Sequence, residues 1–112
     1  MIITSVKDAP PRENPHQVDV RRLYNYATAE AMHITLQPGE SLKPHTTPVD
    51  VFFYVLEGAP NIQVGEEIKT VAKDILVESP RNIKHCISNQ SESVARILVV
   101  KSPKQLTKSI LV

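Results

Sequence analysis

Residues 29–58 read Ala-Glu-Ala-Met-His-Ile-Thr-Leu-Gln-Pro-Gly-Glu-Ser-Leu-Lys-Pro-His-Thr-Thr-Pro-Val-Asp-Val-Phe-Phe-Tyr-Val-Leu-Glu-Gly. Met32, Ile34 and Leu36 alternate with His33 and Thr35. That two-residue period places apolar groups on one face of a strand and polar groups on the other. Pro38-Gly39 ends the strand with a turn signal. Leu42 to Thr47 is polar and extended. Val51 to Leu56 is a dense apolar run, suited to a strand buried on both faces, and Gly58-Ala59-Pro60 breaks it.

The same rhythm continues outward in both directions. Val18 to Tyr24 alternates, with Val18, Val20 and Arg22 on one face and Asp19, Arg21 and Leu23 on the other. Asp8 to Gln17 carries Pro10, Pro11 and Pro15 among charged residues and reads as a loop or extended arm. Residues 2–6 read as a first short strand. Downstream, Asn61 to Val64 and Ile68 to Val71 flank Gly65-Glu66-Glu67 as a hairpin. Ile75 to Val77, Ile83 to Ile87 and Val94 to Val100 follow as strands. Lys104 to Val112 reads as a short helix or an edge strand. Thirty of the 112 residues are Val, Ile or Thr, whose branched side chains suit a pleated surface. Nine prolines cut the chain into short extended pieces, none of them inside an apolar run. No window holds a helical period long enough for a core helix. The expected fold is all-β: an antiparallel β-sandwich or jelly-roll barrel, in one domain over residues 1–112. Residues 1–29 supply N-terminal strands and the proline-rich arm, 30–101 the core, and 102–112 a tail.

Composition removes several functional classes. Thirteen basic and twelve acidic residues give a net charge of +1, too little for a domain held on nucleic acid by charge. No apolar run approaches the roughly 20 residues of a membrane span. The first residues lack the layout of a signal peptide. The single cysteine, Cys86, excludes an internal disulfide and a Cys-based zinc knuckle. The expectation is a cytoplasmic protein without nucleic-acid or membrane partners. Phosphate-cradling glycine loops and a nucleophile elbow are missing.

Four histidines carry the chemical interest. His16, in the arm, reads as a solvated side chain, and His33, on the polar face of its strand, as structural or surface. His45 and His85 have more telling company. Gly39, His45 and Gly58 form one spaced set, and Pro80, His85 and Asn89 a second. Arg81 and Lys84 beside His85 read as a solvated turn, or as groups that bind a carboxylate or phosphate at a barrel mouth. Cys86 should point away from His85 and reads as a small buried apolar residue. Phe52, Phe53 and Tyr54 put aromatic groups on both faces of one strand, as core and interface packing.

The two spaced sets resemble the paired motifs of the cupin superfamily, over about residues 30–101. That family's first motif runs Gly, five residues, His, one, His, three or four, Glu, six, Gly. The second runs Gly, five, Pro, one, Gly, two, His, three, Asn. Thr47 stands at the second histidine, Val51 at the glutamate, Asp74 and Asn82 at the glycines of the second motif. Asn tolerates the left-handed backbone that such a glycine takes. The resemblance implies a metal set of three histidines and a carboxylate, of which His45 and His85 survive. It places His45, Thr47, Val51 and His85 around one barrel cavity as ligand-binding residues. Two imidazoles alone would hold a divalent transition metal weakly. Asp50 could supply a carboxylate only if a bulge re-aimed it, because its neighbour Val51 would face inward. The expected function is a cupin-like barrel that binds a small organic molecule with weak or no metal. One alternative is a metal-dependent enzyme of isomerase, dioxygenase or decarboxylase type using His45 and His85. Another is a structural or regulatory dimerisation module. The resemblance also implies a homodimer, in keeping with apolar residues at both chain ends (Ile2, Ile3 and Val6; Ile110, Leu111 and Val112).

Overall fold

The structure, a computed structural model, describes residues 1–106 and the backbone strand at 110–111. Among the described residues ten strands follow one another: β1 (Asp19–Tyr26), β2 (Ala29–Leu36), β3 (Ser41–Thr46), β4 (Asp50–Glu57), β5 (Asn61–Val64), β6 (Glu67–Thr70), β7 (Leu76–Ser79), β8 (His85–Ser88), β9 (Ala95–Ser102) and β10 (Ile110–Leu111). They form two five-stranded sheets, ordered β1-β2-β9-β4-β7 and β10-β3-β8-β5-β6, with every pairing antiparallel. The expected all-β jelly-roll sandwich is what the chain adopts. No helix among the described residues is long and apolar enough to cross a membrane.

Inward alternation builds the core. On the first sheet Ile34 and Leu36, Val51, Phe53 and Val55, and Ala95, Ile97 and Val99 are all buried. Cross-strand register aligns them in rows, with Val20 opposite Ile34, Ile34 opposite Ile97, and Val55 opposite Ile97. Leu42, Ile62 and Ile87 meet them from the second sheet. Burial of these branched side chains supplies the main driving force, since non-polar area removed from water stabilises at roughly 25 cal/mol per Å².

The N-terminal end departs from the sequence expectation, and the tail takes one of its two alternatives. Residues 2–6 form no strand: 1–5 are irregular and 6–8 make a turn. Ala9 N–H donates to Ser5 O, and the Arg21 guanidinium donates to the carbonyls of Val6, Lys7 and Ala9. One cation thus gathers three carbonyls and curls the segment, where a strand would need a neighbouring edge. In the tail, Ile110–Leu111 pairs with β3, so that part is strand and not helix. The rest of the expectation, at 107–109 and 112, lies outside the described residues. The turns fall where sequence placed them. Gly39 and Gly58 have φ of 88° and 81°, and Asp74 and Asn82, at the glycine positions of the second motif, have φ of 69° and 63°.

Candidate functional site

His45 reaches the barrel interior through an irregularity in β3. Leu42 pairs with Ile87 and His45 with His85, so three steps on β3 oppose two on β8. Without that bulge, strict alternation from inward Leu42 would turn His45 outward. His85 shares the inward face of β8 with Ile87 and is buried. The loops that follow β3 and precede β8 are tied together, because Asn82 N–H donates to Thr47 O at 2.8 Å.

The two imidazoles face each other. Their Nε2 atoms lie 3.1 Å apart and the rings cross at 83°. Surrounding groups fix where the protons sit. His45 Nδ1 lies 2.7 Å from Lys43 O, a pure acceptor, so Nδ1 carries the proton and Nε2 holds a lone pair. His85 Nε2–H therefore donates to His45 Nε2, and Ser79 Oγ–H donates to His85 Nδ1 at 2.6 Å. Thr47 Oγ1 stands 3.3 Å from the same His85 Nε2. The result is a directed chain from Ser79 through His85 and His45 to Lys43. Phe53 closes one side with its ring edge-on to His85, 5.2 Å between centroids. Burial is the first cause that favours neutral imidazole. It pushes His85 down to about 4, helped by the neighbouring charges of His45 and Lys101, and it lowers His45 as well.

These groups border a cavity of about 700 Å³. Thr47, Val51, Met32, Phe53 and Val99 line it together with His45 and His85. The structure thus brings His45, Thr47, Val51 and His85 to one cavity. It does not bring Asp50 there. Asp50 is exposed, accepts the Arg81 backbone N–H at 2.9 Å and pairs with its guanidinium at 3.6 Å. Strand parity holds through the bend at Pro48, so Asp50 takes the outward position that an inward Val51 implied, and no bulge re-aims it. Arg81 is accordingly part of an exposed ion pair. Cys86 points away from the histidines, its Sγ donating to Gln63 Oε1, and burial raises its thiol pKa, which disfavours the thiolate.

Two cavity residues were not expected. His16 is not a freely solvated side chain. Its Nδ1 accepts the Lys43 N–H at 2.8 Å, its ring leans on His45 at 5.2 Å, and it borders the cavity. The arm is pinned to bring it there, since Arg12 N–H donates to Val20 O and the Asn14 amide donates to the carbonyls of Arg12 and Val18. Burial first, then His45 and two lysines, push His16 to about 4. No local pattern in a proline-rich arm announces such a long-range contact. Lys101 is the second. It borders the cavity because the inward series Ala95, Ile97, Val99 continues one more step. That signal was present in the sequence. His33, by contrast, lies buried on the outer face and accepts Arg96 Nε–H at 3.1 Å, a structural role.

The donor set fits a tightly held transition metal poorly. Among the described residues no group of three His, Cys, Asp or Glu side chains converges. The two facing nitrogens already share a proton, which a metal would have to displace, reversing the Ser79–His85 bond as well.

Comparison with known proteins supplies the lineage. The family description "Cupin domain" matches residues 32–101. The tetracenomycin polyketide synthase protein TcmJ of Streptomyces glaucescens is 36% identical over 73 residues, 63% of this chain and 48% of that protein. The chain therefore spans about half the length of that curated relative. Among solved structures, TT1209 of Thermus thermophilus superposes with a TM-score of 0.79 at 30% identity, over 92% of this chain and 98% of that one. The polyketide cyclase RemF of Streptomyces resistomycificus superposes with a TM-score of 0.86 at 19% identity, over 100% and 85% of the two chains, a likeness of fold. With motif spacing, barrel and match over most of its length in agreement, this chain belongs to the cupin family.

Proposed function

We propose that this protein binds a small organic molecule inside its barrel, in a homodimeric, cytoplasmic setting, and holds metal weakly if at all. The observation that carries this reading is the cavity of about 700 Å³, a volume in the range of small-molecule sites, with an apolar wall and one polar end. Met32, Val51 and Phe53 give the non-polar contact. The chain from Ser79 to Lys43 gives orientation, since His85 and His45 are held in single tautomers by their hydrogen-bond partners. TcmJ and RemF are named for polyketide synthesis and cyclisation, which makes a flat, ring-bearing ligand the natural first choice. A fluorine-detected NMR screen of small aromatic compounds tests the proposal. Several should bind, and Val51→Trp, whose indole would project into the cavity beside His45 and His85, should weaken binding while the fold persists by circular dichroism. Unchanged binding in that variant would place the site elsewhere.

A second reading, a metal-dependent enzyme using His45 and His85, draws on the relatives named for enzymatic steps. Elemental analysis separates the two. Near-stoichiometric Mn, Fe, Ni, Cu or Zn that survives dialysis would favour the enzyme.

A further inference from the structure

Lys101 is the lysine that the alternation of β9 turns into the barrel. Across three strands it pairs with Glu30 on β2 and Val51 on β4. Its Nζ donates to the neutral Gln105 Oε1 at 2.8 Å. Among the described residues no carboxylate lies within ion-pair distance of that ammonium. Glu30, buried beside it, is instead engaged by Arg22 at 3.3 Å. At the mouth, Arg12 and Glu13 bring opposite charges. The remaining cavity bases are His16, His45 and His85, all favoured in the neutral form. Glu30 also borders the cavity and its charge acts on Lys101, but its carboxylate is held by Arg22, so the ammonium inside the cavity has no ion pair of its own among the described residues. A second donor sits nearby. His16 accepts a backbone N–H on Nδ1, so its proton is on Nε2 at the cavity wall.

We infer that Lys101 anchors an anionic group of the ligand, so that the barrel selects small organic monoanions, an aromatic carboxylate or phenolate, over neutral and cationic rings of the same shape. A partly desolvated ammonium with no carboxylate in ion-pair contact gains most from an anion in low dielectric. Met32, Phe53 and Val99 then take the ring. This inference rests on the barrel-ligand reading above and adds the charge of the ligand to it.

A charge series at constant shape tests it. Calorimetric titration at pH 7.5 would compare 2-naphthoate, 2-naphthol and 2-naphthylmethylammonium. Naphthoate should bind at least about tenfold more tightly than naphthol, and the ammonium least, as one charge-assisted hydrogen bond implies. Lys101→Met should erase the preference for naphthoate while naphthol binding stays, and Lys101→Arg should keep it. A nitrated naphthol, ionised at this pH, then shows whether phenolates share the site. Equal binding of the three compounds, or a preference that survives Lys101→Met, would overturn the anchor and leave the barrel reading intact. No binding by any of them would overturn both. The wild-type series alone decides the charge preference should Lys101→Met fail to fold.

Discussion

Thr47 and Val51 decide how the barrel treats a metal ion. Both are buried and line the cavity beside His45 and His85. Thr47 contributes a hydroxyl, a poor ligand for a first-row metal, and Val51 contributes none. Replacing Thr47→His and Val51→Glu together puts four donors on a scaffold that already orients two of them through Lys43 O and Ser79 Oγ. Zinc affinity, followed by competition with a chromophoric chelator, should rise by at least about a hundredfold over the wild type, since tight sites take three or four protein ligands. An affinity equal to wild type in a folded double variant would show that the two positions are not aimed at a shared point. At this scale the sequence was informative where spacing encodes contact. His45 and His85 stood out because their intervals to Gly39, Pro80 and Asn89 resemble the paired cupin motifs, whose histidines share one cavity, and here they lie on neighbouring strands. His16 did not, because its contact depends on hydrogen bonds of the arm to β1 and β3 that no interval encodes. Lys101 is readable from strand parity, but the apolar run ends at Val100 and hides the last step of the strand.

The elements are positioned by a few backbone conformations. Gly58 ends β4 at φ of 81° with β9 pressed against it. A Cβ built there would lie 2.5 Å from Val94 O and 2.9 Å from Ala95 Cα, both backbone atoms that cannot swing aside. Gly39 has a similar φ of 88° but nothing within 4 Å of such a Cβ. Gly39→Ala should therefore cost only the left-handed strain of about 1 kcal/mol. Gly58→Ala should cost more, roughly 2–4 kcal/mol, by adding the collision. Urea denaturation of both variants measures the difference, and equal midpoints would refute the close approach of β4 to β9. Strand positions were legible to within a residue or two because the apolar alternation and the proline and glycine breaks coincide. The N-terminal segment departs from its pattern for a physical reason. Ile2, Ile3 and Val6 have strand-like side chains, yet a strand needs an edge to pair with, and three carbonyls at the end of this segment are instead collected by Arg21.

At the scale of the molecule, Met1, Ile2 and Ile3 are exposed at one end of the chain, and Ile75 and Leu76 are exposed near the β7 edge. Apolar groups on a terminal arm and along a sheet edge favour a second copy as cover. Light scattering at micromolar concentration should return about twice the 12.5 kDa chain mass, and a value near one chain would count against the dimer. The buried imidazoles make a second demand on the whole fold. His85 and His16 are each held down to about 4, and His33 and His45 are lowered as well, with burial the first cause in every case. A histidine with a depressed pKa is neutral in the folded chain over a range where the unfolded chain takes up a proton. Its stabilising effect is therefore complete above the ordinary value of about 6.5 and is lost as pH falls from there to about 4. For His85 alone the loss between pH 7.5 and 5 is about 2 kcal/mol. The more exposed His16 adds to it in the same direction. Protonation of His16 also removes the lone pair that accepts the Lys43 N–H, so the arm should loosen with it. Urea midpoints should fall steadily between pH 7.5 and 5, and His16→Gln should flatten the slope in part. A midpoint that stays constant across this range would mean that the imidazoles are solvated, and that the cavity they border is open water.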